Sequence, residues 1–571
     1  MTPKSPDTSM DAWLTTLIWC VLMAPALVLR PLLPIDETRY ITVAWEMWSN
    51  GNFMVPTLNG EIYSHKPPFL FWFMDLGWTL FGTSEVSARL VAPLFGLGSL
   101  WLTAKLAREL WPDASEDVRA CRAMMAPMML VTGVYWAVFS TMTMFDMLVT
   151  FAAVLAVLGS VKAWKGFATG CGFWRGILIA GLGIGIGGLA KGPAILVHTL
   201  PLALAAPLWG PHTVHGRGQT AWKTWYLGVF FTVLVGVAIT LMWAIPAAII
   251  GGAEYRDAIF IKQSADRMVK SFAHRRPFYW FAVVLPLLLL PWTLWPRLWK
   301  GIGARAAWRE HRGLRAAWCD GGVRVLLIWA GASFVIFSAI SGKQPHYLLP
   351  VFPALALFAA FLLTHGDAQD RHASEHGHRV PVLFLGGLML VLLVGLLGKD
   401  VLEPLLKKPL PAWSDAAQPL WLVPALILAA SAALTRAHSP RAETRLIALT
   451  VASVMVFVHM SAAPALDLAY NLEPAARQVK AYQDQGRPVA YVGKYHGEFQ
   501  FMGRLTQPLS TMRTLKDGQD WAKSNATGVV IATLRERDVP ASPLPIYLQA
   551  YRGKVLVMWD AKTFKIPAQS Q

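Results

Sequence analysis

Apolar residues along this chain fall in long unbroken runs separated by short polar turns. Lipid-surrounded helices have this pattern, whereas elements with one wet face alternate or repeat every three to four residues. Runs near the bilayer-spanning length of about 17–25 residues lie near 11–30, 86–107, 123–141, 144–161, 174–190, 193–209, 224–250, 279–296, 323–341, 345–364, 379–398, 419–435 and 445–463. They predict thirteen membrane-spanning helices. A further apolar stretch, 67–81, is short and begins at Lys66-Pro67-Pro68. After about residue 464 the pattern changes to β-like runs at 489–492, 528–532 and 554–559, with helical patterns near 474–485 and 515–524. The expected fold class is a polytopic all-α integral membrane protein, residues 1–463, followed by a small C-terminal α/β domain, residues 464–571.

Composition supports this reading. Only 15% of the 571 residues are charged, against about 25% in soluble proteins, which argues against a disordered chain or a large soluble enzyme. The formal charge of +17 could suit nucleic acid, but in a membrane protein it points to basic cytoplasmic loops and anionic lipid partners. With the N-terminus inside and 67–81 not spanning, cytoplasmic loops collect Arg108, Arg119, Arg122, Lys162, Lys165, Arg175, Arg297, Lys300, Arg441 and Arg445. If 67–81 crossed the membrane, every later loop would change sides and the pattern would invert. The stretch is therefore expected to lie in or dip into the outer leaflet, and the C-terminal domain to lie outside the cytoplasm. The same topology places Cys121, Cys171 and Cys319 at or near the cytoplasmic face, so no structural disulfide is expected.

Charge on the outer side is concentrated at a few turns. Asp36 and Glu37 directly follow the first span, with Arg39 one helical turn on, and Asp146 lies in an outer turn. Each carboxylate could simply begin a helix; two converging on one face could carry acid–base work or hold a cation. Lys66, Lys191, Arg267 and Lys343, the last followed by His346 and Tyr347, are basic residues on the side that should be poor in them. Lipid phosphate is their natural partner, because Lys and Arg bind its oxygens with charge-assisted hydrogen bonds. His65, His274 and His346 show no metal-ligand spacing. The glycine-rich run 181–188 sits inside an apolar span with no strand before it, so it reads as close helix packing and not as a dinucleotide loop.

The motifs Pro34-Ile35-Asp36-Glu37-Thr38-Arg39-Tyr40, Lys66-Pro67-Pro68, 82–90, Lys191-Gly192-Pro193 and 345–350 occur in order over residues 11–365. Together they resemble the lipid A 4-amino-4-deoxy-L-arabinose transferases, GT-C glycosyltransferases related to the protein O-mannosyltransferases. The resemblance implies an enzyme of the bacterial inner membrane that works at the periplasmic face and carries a periplasmic C-terminal domain. Its donor would be an undecaprenyl-phosphate-linked sugar and its acceptor a lipid A phosphate, and the product would protect against polymyxin. It implies Asp36 as principal catalytic aspartate, Asp146 as a second acidic position, and Lys66, Arg267 and Tyr347 around the donor phosphate. Glu37, Arg39, Lys191, Lys343 and His346 are further candidates for substrate contact. No cofactor is required, a divalent cation being left open; a monomer is expected, and no nucleic acid. His65 before Lys66, and Gln263-Ser264 before Arg267, depart from the family's acidic and Glu-His patterns and leave any metal site open. Another polyprenyl-phosphate-sugar transferase is the alternative within enzymes. A transporter is the alternative outside them, although no inverted repeat is visible.

Overall fold

The computed structural model describes residues 8–210, 218–260, 275–303, 318, 320–364, 377–406, 412–540, 542 and 544–565. The chain folds into an apolar helical bundle with a mixed α/β unit docked on one end. Helices α1 (Thr8–Val28), α2 (Asp36–Asn50), α3 (Phe69–Phe81), α4 (Glu85–Leu110), α5 (Glu116–Val131), α6 (Val134–Ser140), α7 (Asp146–Thr169), α8 (Phe173–Lys191) and α9 (Ala194–Leu204) form its first half. A continuous core of Leu, Met, Trp and Phe runs from α1 through the helix Pro440–Tyr470.

Among the described residues eight helices are long and apolar enough to cross a membrane, or nine if α5 and α6, bent by 68°, form one broken span. The other four expected spans fold as shorter apolar helices: Ala12–Val28, Ala194–Leu204, Trp280–Leu288 and Pro419–Leu434. Proline interrupts or shortens several of these, at Pro25, Pro201 and Pro286, because it lacks the N–H its turn needs. Helix α3 has 13 residues, about 20 Å at 1.5 Å per residue, short of a bilayer core of about 30 Å.

The glycine run on α8 lets helices approach on two sides. A Cβ on Gly183 would fall 2.7 Å from the Ala152 carbonyl oxygen of α7, and one on Gly176 2.2 Å from the Ala163 nitrogen. On the other side, Gly181 and Gly185 abut Val235 and Ile239 of the helix Gly218–Ile250, each 2.7 Å from the would-be Cβ. Small residues at such contacts allow dispersion packing where lipid offers no hydrophobic drive.

The α/β unit is built by period-two alternation. Two-residue strands β1 (Thr57–Leu58) and β2 (Glu61–Ile62) form a separate small hairpin. The main sheet has the order β4-β3-β5-β7-β6, from β3 (Val489–Val492), β4 (Ser510–Met512), β5 (Val529–Leu534), β6 (Tyr547–Tyr551) and β7 (Lys554–Asp560). Val529, Ile531, Leu556 and Met558 face the helix Glu473–Asp484. Val530, Ala532, Val557 and Trp559 face the other side, against the helix Leu515–Ser524. The three β-like runs of the sequence are β3, β5 and β7. Strands β4 and β6 lack an apolar run of their own: Ser510–Met512 is polar, and β6 interleaves Gln549 with its apolar residues. The membrane-side helix that precedes this unit runs on to Tyr470.

The unit seats on α2. Thr38 and Thr42 donate their hydroxyls to the His496 and Gly497 carbonyls at 3.2 and 2.8 Å, and Trp45 Nε1 donates to the Leu505 carbonyl at 2.8 Å. Phe501 stacks on Trp78 with ring centroids 5.3 Å apart. Gly497 has φ +75, and a Cβ there would meet Thr42 at 2.7 Å. Gly497→Ala should therefore cost more than about 1 kcal/mol from the left-handed backbone alone. The expected outcome is a lower melting temperature in detergent with faster proteolysis between the bundle and the unit; an unchanged melting curve and digestion pattern would show that this contact does not hold the seat.

Candidate functional site

The site begins with a buried ion pair. Arg30, in the turn after α1, gives both guanidinium nitrogens to Glu37, at 2.5 and 3.0 Å. Glu37 also accepts the backbone N–H groups of Leu33 and Thr143, each at 2.9 Å, and Arg30 donates to the Thr141 carbonyl at 3.0 Å. Arg89 of α4 in turn donates to the Arg30 carbonyl at 2.6 Å and the Ala26 carbonyl at 2.8 Å. This network pins the end of α1, the start of α2 and the 141–143 turn to one another. Glu37 is fully buried. Burial opposes its charge, but the Arg30 and Arg89 charges and the hydrogen bonds outweigh it and hold the carboxyl at about 2. Grouped on sequence with residues that could face a substrate, Glu37 turns inward, and its hydrogen bonds are all to the protein.

Its neighbour Asp36 points the other way. It is 44% exposed and sits 3.3 Å from Arg39, one turn along α2. Asp146, at the start of α7, is 3% exposed and pairs with Lys191 at 2.7 Å. Lys191 ends α8 and lies over the Tyr347 ring at 5.2 Å. Lys66 lies over the Phe145 ring at 5.7 Å. His346 stacks on Phe139 at 5.6 Å and meets Tyr347 edge-on at 4.9 Å. The charges of Asp146, Lys191, Lys66 and Asp36 all act on the His346 ring. Helices α2, α7 and α8, the turn before α3 and the short 3-10 helix Pro345–Val351 thus bring two carboxylates, two ammonium groups, an imidazole and a phenol to one place. Tyr40, at i+4 from Asp36 on α2, is packed edge-on against Phe145 at 5.1 Å and lies within the fields of both carboxylates. The sequence signal for it was the helical spacing from Asp36.

One candidate is used elsewhere. The Lys343 ammonium is buried and donates to the Arg276 carbonyl at 3.1 Å and to the Ile340 carbonyl, holding two turns together. Arg267 and His274 lie outside the described residues. Among the described residues no three of His, Cys, Asp and Glu gather as metal ligands would. Beside the site, Met129, Leu130, Leu288, Trp292, Phe352 and Leu355 line an apolar cavity of about 190 Å³. Phe352 follows directly on the 3-10 helix that carries His346 and Tyr347.

In three dimensions the fold resembles the crystal structure of ArnT from Cupriavidus metallidurans bound to undecaprenyl phosphate. The two superpose with a TM-score of 0.71 over 96% of this chain and 97% of that one, at 20% identity. In sequence, the family described as dolichyl-phosphate-mannose-protein mannosyltransferase matches residues 13–249. The undecaprenyl phosphate-alpha-4-amino-4-deoxy-L-arabinose arabinosyl transferase of Edwardsiella ictaluri is 29% identical over 374 residues, 63% of this chain and 60% of its own. The protein of that name from Pseudomonas paraeruginosa is 27% identical over 405 residues, 68% of this chain and 67% of its own. The match thus spans about three-fifths of the Edwardsiella relative's length. The chain is thus similar in sequence to the aminoarabinose transferases and, over residues 13–249, to the protein mannosyltransferases.

Removing one member of a buried pair leaves the other charge uncompensated, at about 3–5 kcal/mol, so Glu37→Gln should lower unfolding stability by that order. Because the Glu37 carboxyl is depressed to about 2 from 4.5, its stabilisation is complete above pH 4.5 and is lost as pH falls from there toward 2. Thermal melts in detergent should show this acid limb in the unmutated protein and a smaller one in Glu37→Gln; equal limbs would refute the assignment.

Proposed function

We propose that the protein is a lipid-linked-sugar-dependent glycosyltransferase that moves 4-amino-4-deoxy-L-arabinose from undecaprenyl phosphate to a phosphate of lipid A. The reaction takes place at the periplasmic face of the bacterial inner membrane, and the product lowers surface negative charge and gives resistance to polymyxin and other cationic peptides. In this reading the bundle crosses the membrane thirteen times and the C-terminal α/β unit is periplasmic. The observation that carries it is the meeting of Asp36 with Lys66, Lys191, His346 and Tyr347 at one end of an apolar bundle, supported by relatives named for this transfer.

The chemistry follows from where charge moves. An acceptor phosphate oxygen attacks the anomeric carbon, and the bond from that carbon to the donor phosphate breaks with its electron pair going to the phosphate. Negative charge therefore grows on the leaving group, where Lys66, with Arg267 and the Tyr347 hydroxyl, stabilises it. Lys191 stays partly neutralised by Asp146 and sets the position of the Tyr347 ring beneath it. The acceptor phosphate is already ionised near pH 7, so it needs no general base; Asp36, itself an anion, stabilises the oxocarbenium-like sugar. The apolar cavity beside Phe352 suits an isoprenoid tail that enters sideways from the lipid. Activation was spent in making the lipid-linked donor, so neither nucleotide nor other cofactor is required, and a monomer suffices.

The match of residues 13–249 to the protein mannosyltransferases favours a second reading, transfer from a polyprenyl phosphate to a protein hydroxyl. Mass spectrometry of lipid A decides between them. A strain lacking the protein should lose a pentosamine-sized mass from lipid A, and an identical spectrum would sink the main reading. Asp36→Asn should reduce transfer by roughly a hundredfold or more while the protein still folds; near-normal transfer would remove Asp36 from the chemistry.

A further inference from the structure

The charge of Asp36 reaches two basic groups of residues, and only one is accounted for by the leaving phosphate. On the bundle side its charge acts on His346 together with Lys66 and Lys191. On the other side it acts on His496, together with Arg39, Lys494 and Arg552. Lys494 and His496 belong to the loop Gly493–Glu498 of the α/β unit, more than 400 residues away in the chain. This loop is held firmly. The Glu498 carboxylate accepts the His496 N–H at 2.6 Å, and the His496 and Gly497 carbonyls take the Thr38 and Thr42 hydroxyls. Gly497 has no Cβ, and so the loop backbone can lie against α2.

The second group carries more positive charge than its surroundings compensate. Partial burial, then the charges of Arg39 and Lys494, with Arg552 adding to them, push the His496 imidazole down to about 4, so it is neutral near pH 7. Glu498 is buried, and this raises its carboxyl to about 7, so it cancels only part of that field. Arg39 has Asp36 at 3.3 Å, and its Nε is buried without a hydrogen-bond partner. Lys494 is exposed. Thr38, next to Arg39, binds the His496 carbonyl at 3.2 Å, and Lys494 is two residues along the same loop; a guanidinium, an ammonium and an imidazole N–H joined in this way form a donor set for a phosphate monoester.

We propose that the loop Gly493–Glu498 completes the acceptor side of the site, with Lys494 and His496 joining Arg39 to hold the anionic phosphate of the acceptor lipid. The proposal rests on the transferase reading. It divides the cations between substrates: Lys66 and Lys191 lie toward the donor phosphate, Arg39 and Lys494 toward the acceptor phosphate, and Asp36 sits between, where the sugar passes. The α/β unit then acts as a specificity element, since a neutral acceptor would leave the Lys494 ammonium without an anion.

The test uses the full-length protein in nanodiscs, with an undecaprenyl-phosphate-linked aminoarabinose donor and purified lipid A. Lys494→Glu should raise the acceptor KM about tenfold or more, the worth of a lost charged hydrogen bond with repulsion added. The donor KM and the kcat at saturating acceptor should stay within about twofold. Lys494→Arg should restore the acceptor KM, and His496→Ala should raise it without changing the donor KM. Added salt should weaken acceptor binding less in Lys494→Glu than in the unmutated protein. An unchanged acceptor KM in Lys494→Glu, or equal changes in the donor and acceptor values, would overturn the proposal while leaving the transferase reading intact. If the unmutated protein transfers no sugar to lipid A, the transferase reading itself fails before the variants are compared.

Discussion

The pairing of Arg30 with Glu37 inside the bundle is the constraint on which the rest of the site depends. A buried ion pair is seldom a net source of stability, because desolvating two charges offsets most of their attraction. What it can supply is position. Here each partner also binds backbone groups from other segments, so α1, α2 and the turn before α7 have a single mutual arrangement that satisfies them all. Asp36 is the next residue in the chain and Asp146 lies just past the pinned turn. The open carboxylate and the shielded one are therefore placed by a pair that is itself buried.

Glu37, Asp36 and Asp146 share a chemical type, but burial and partners separate their roles. Glu37 is enclosed by donors, Asp146 is matched by one ammonium, and Asp36 keeps exposed surface beside a guanidinium at longer range. Lys191 and Lys66 each lie over an aromatic ring, whose face attracts and orients an ammonium, and Lys191 is also paired with Asp146. That arrangement suits a site that must meet a highly anionic ligand and release it again.

The bundle was legible because lipid imposes a single rule, long apolar runs, and the chain obeys it. The rule counts composition, not continuity, so it could not tell that Trp280–Leu288 or Ala194–Leu204 stop short at local backbone breaks. The glycine run on α8 was readable as packing because nothing around it resembled a phosphate loop. Asp36, Lys66, Asp146, Lys191, His346 and Tyr347 were legible as charges or polar groups at outer turns. Their separate fates were not: the inward turn of Glu37 follows from Thr143, more than a hundred residues away, and the use of Lys343 by two carbonyls follows from a neighbouring turn. The loop bearing Lys494 and His496 gave no signal, because its meaning lies in contact with α2 and its own sequence is an ordinary polar turn. Strand β6 was missed for a related reason, its polar positions being acceptable only at a sheet edge.

The glycines of α8 have a mechanical implication. Backbones that touch through missing side chains cannot slide past one another the way interdigitated leucines can, since there are no rotamers to exchange. Lys191 sits at the end of this helix, so its height is set by main-chain contact with α7 on one face and by Val235 and Ile239 seated on glycines on the other, and not by the lipids outside. A membrane that thickens, thins or changes its acyl composition would deform the periphery of the bundle first. The ammonium that steadies Asp146 and Tyr347 would keep its register in a solvent whose dimensions vary.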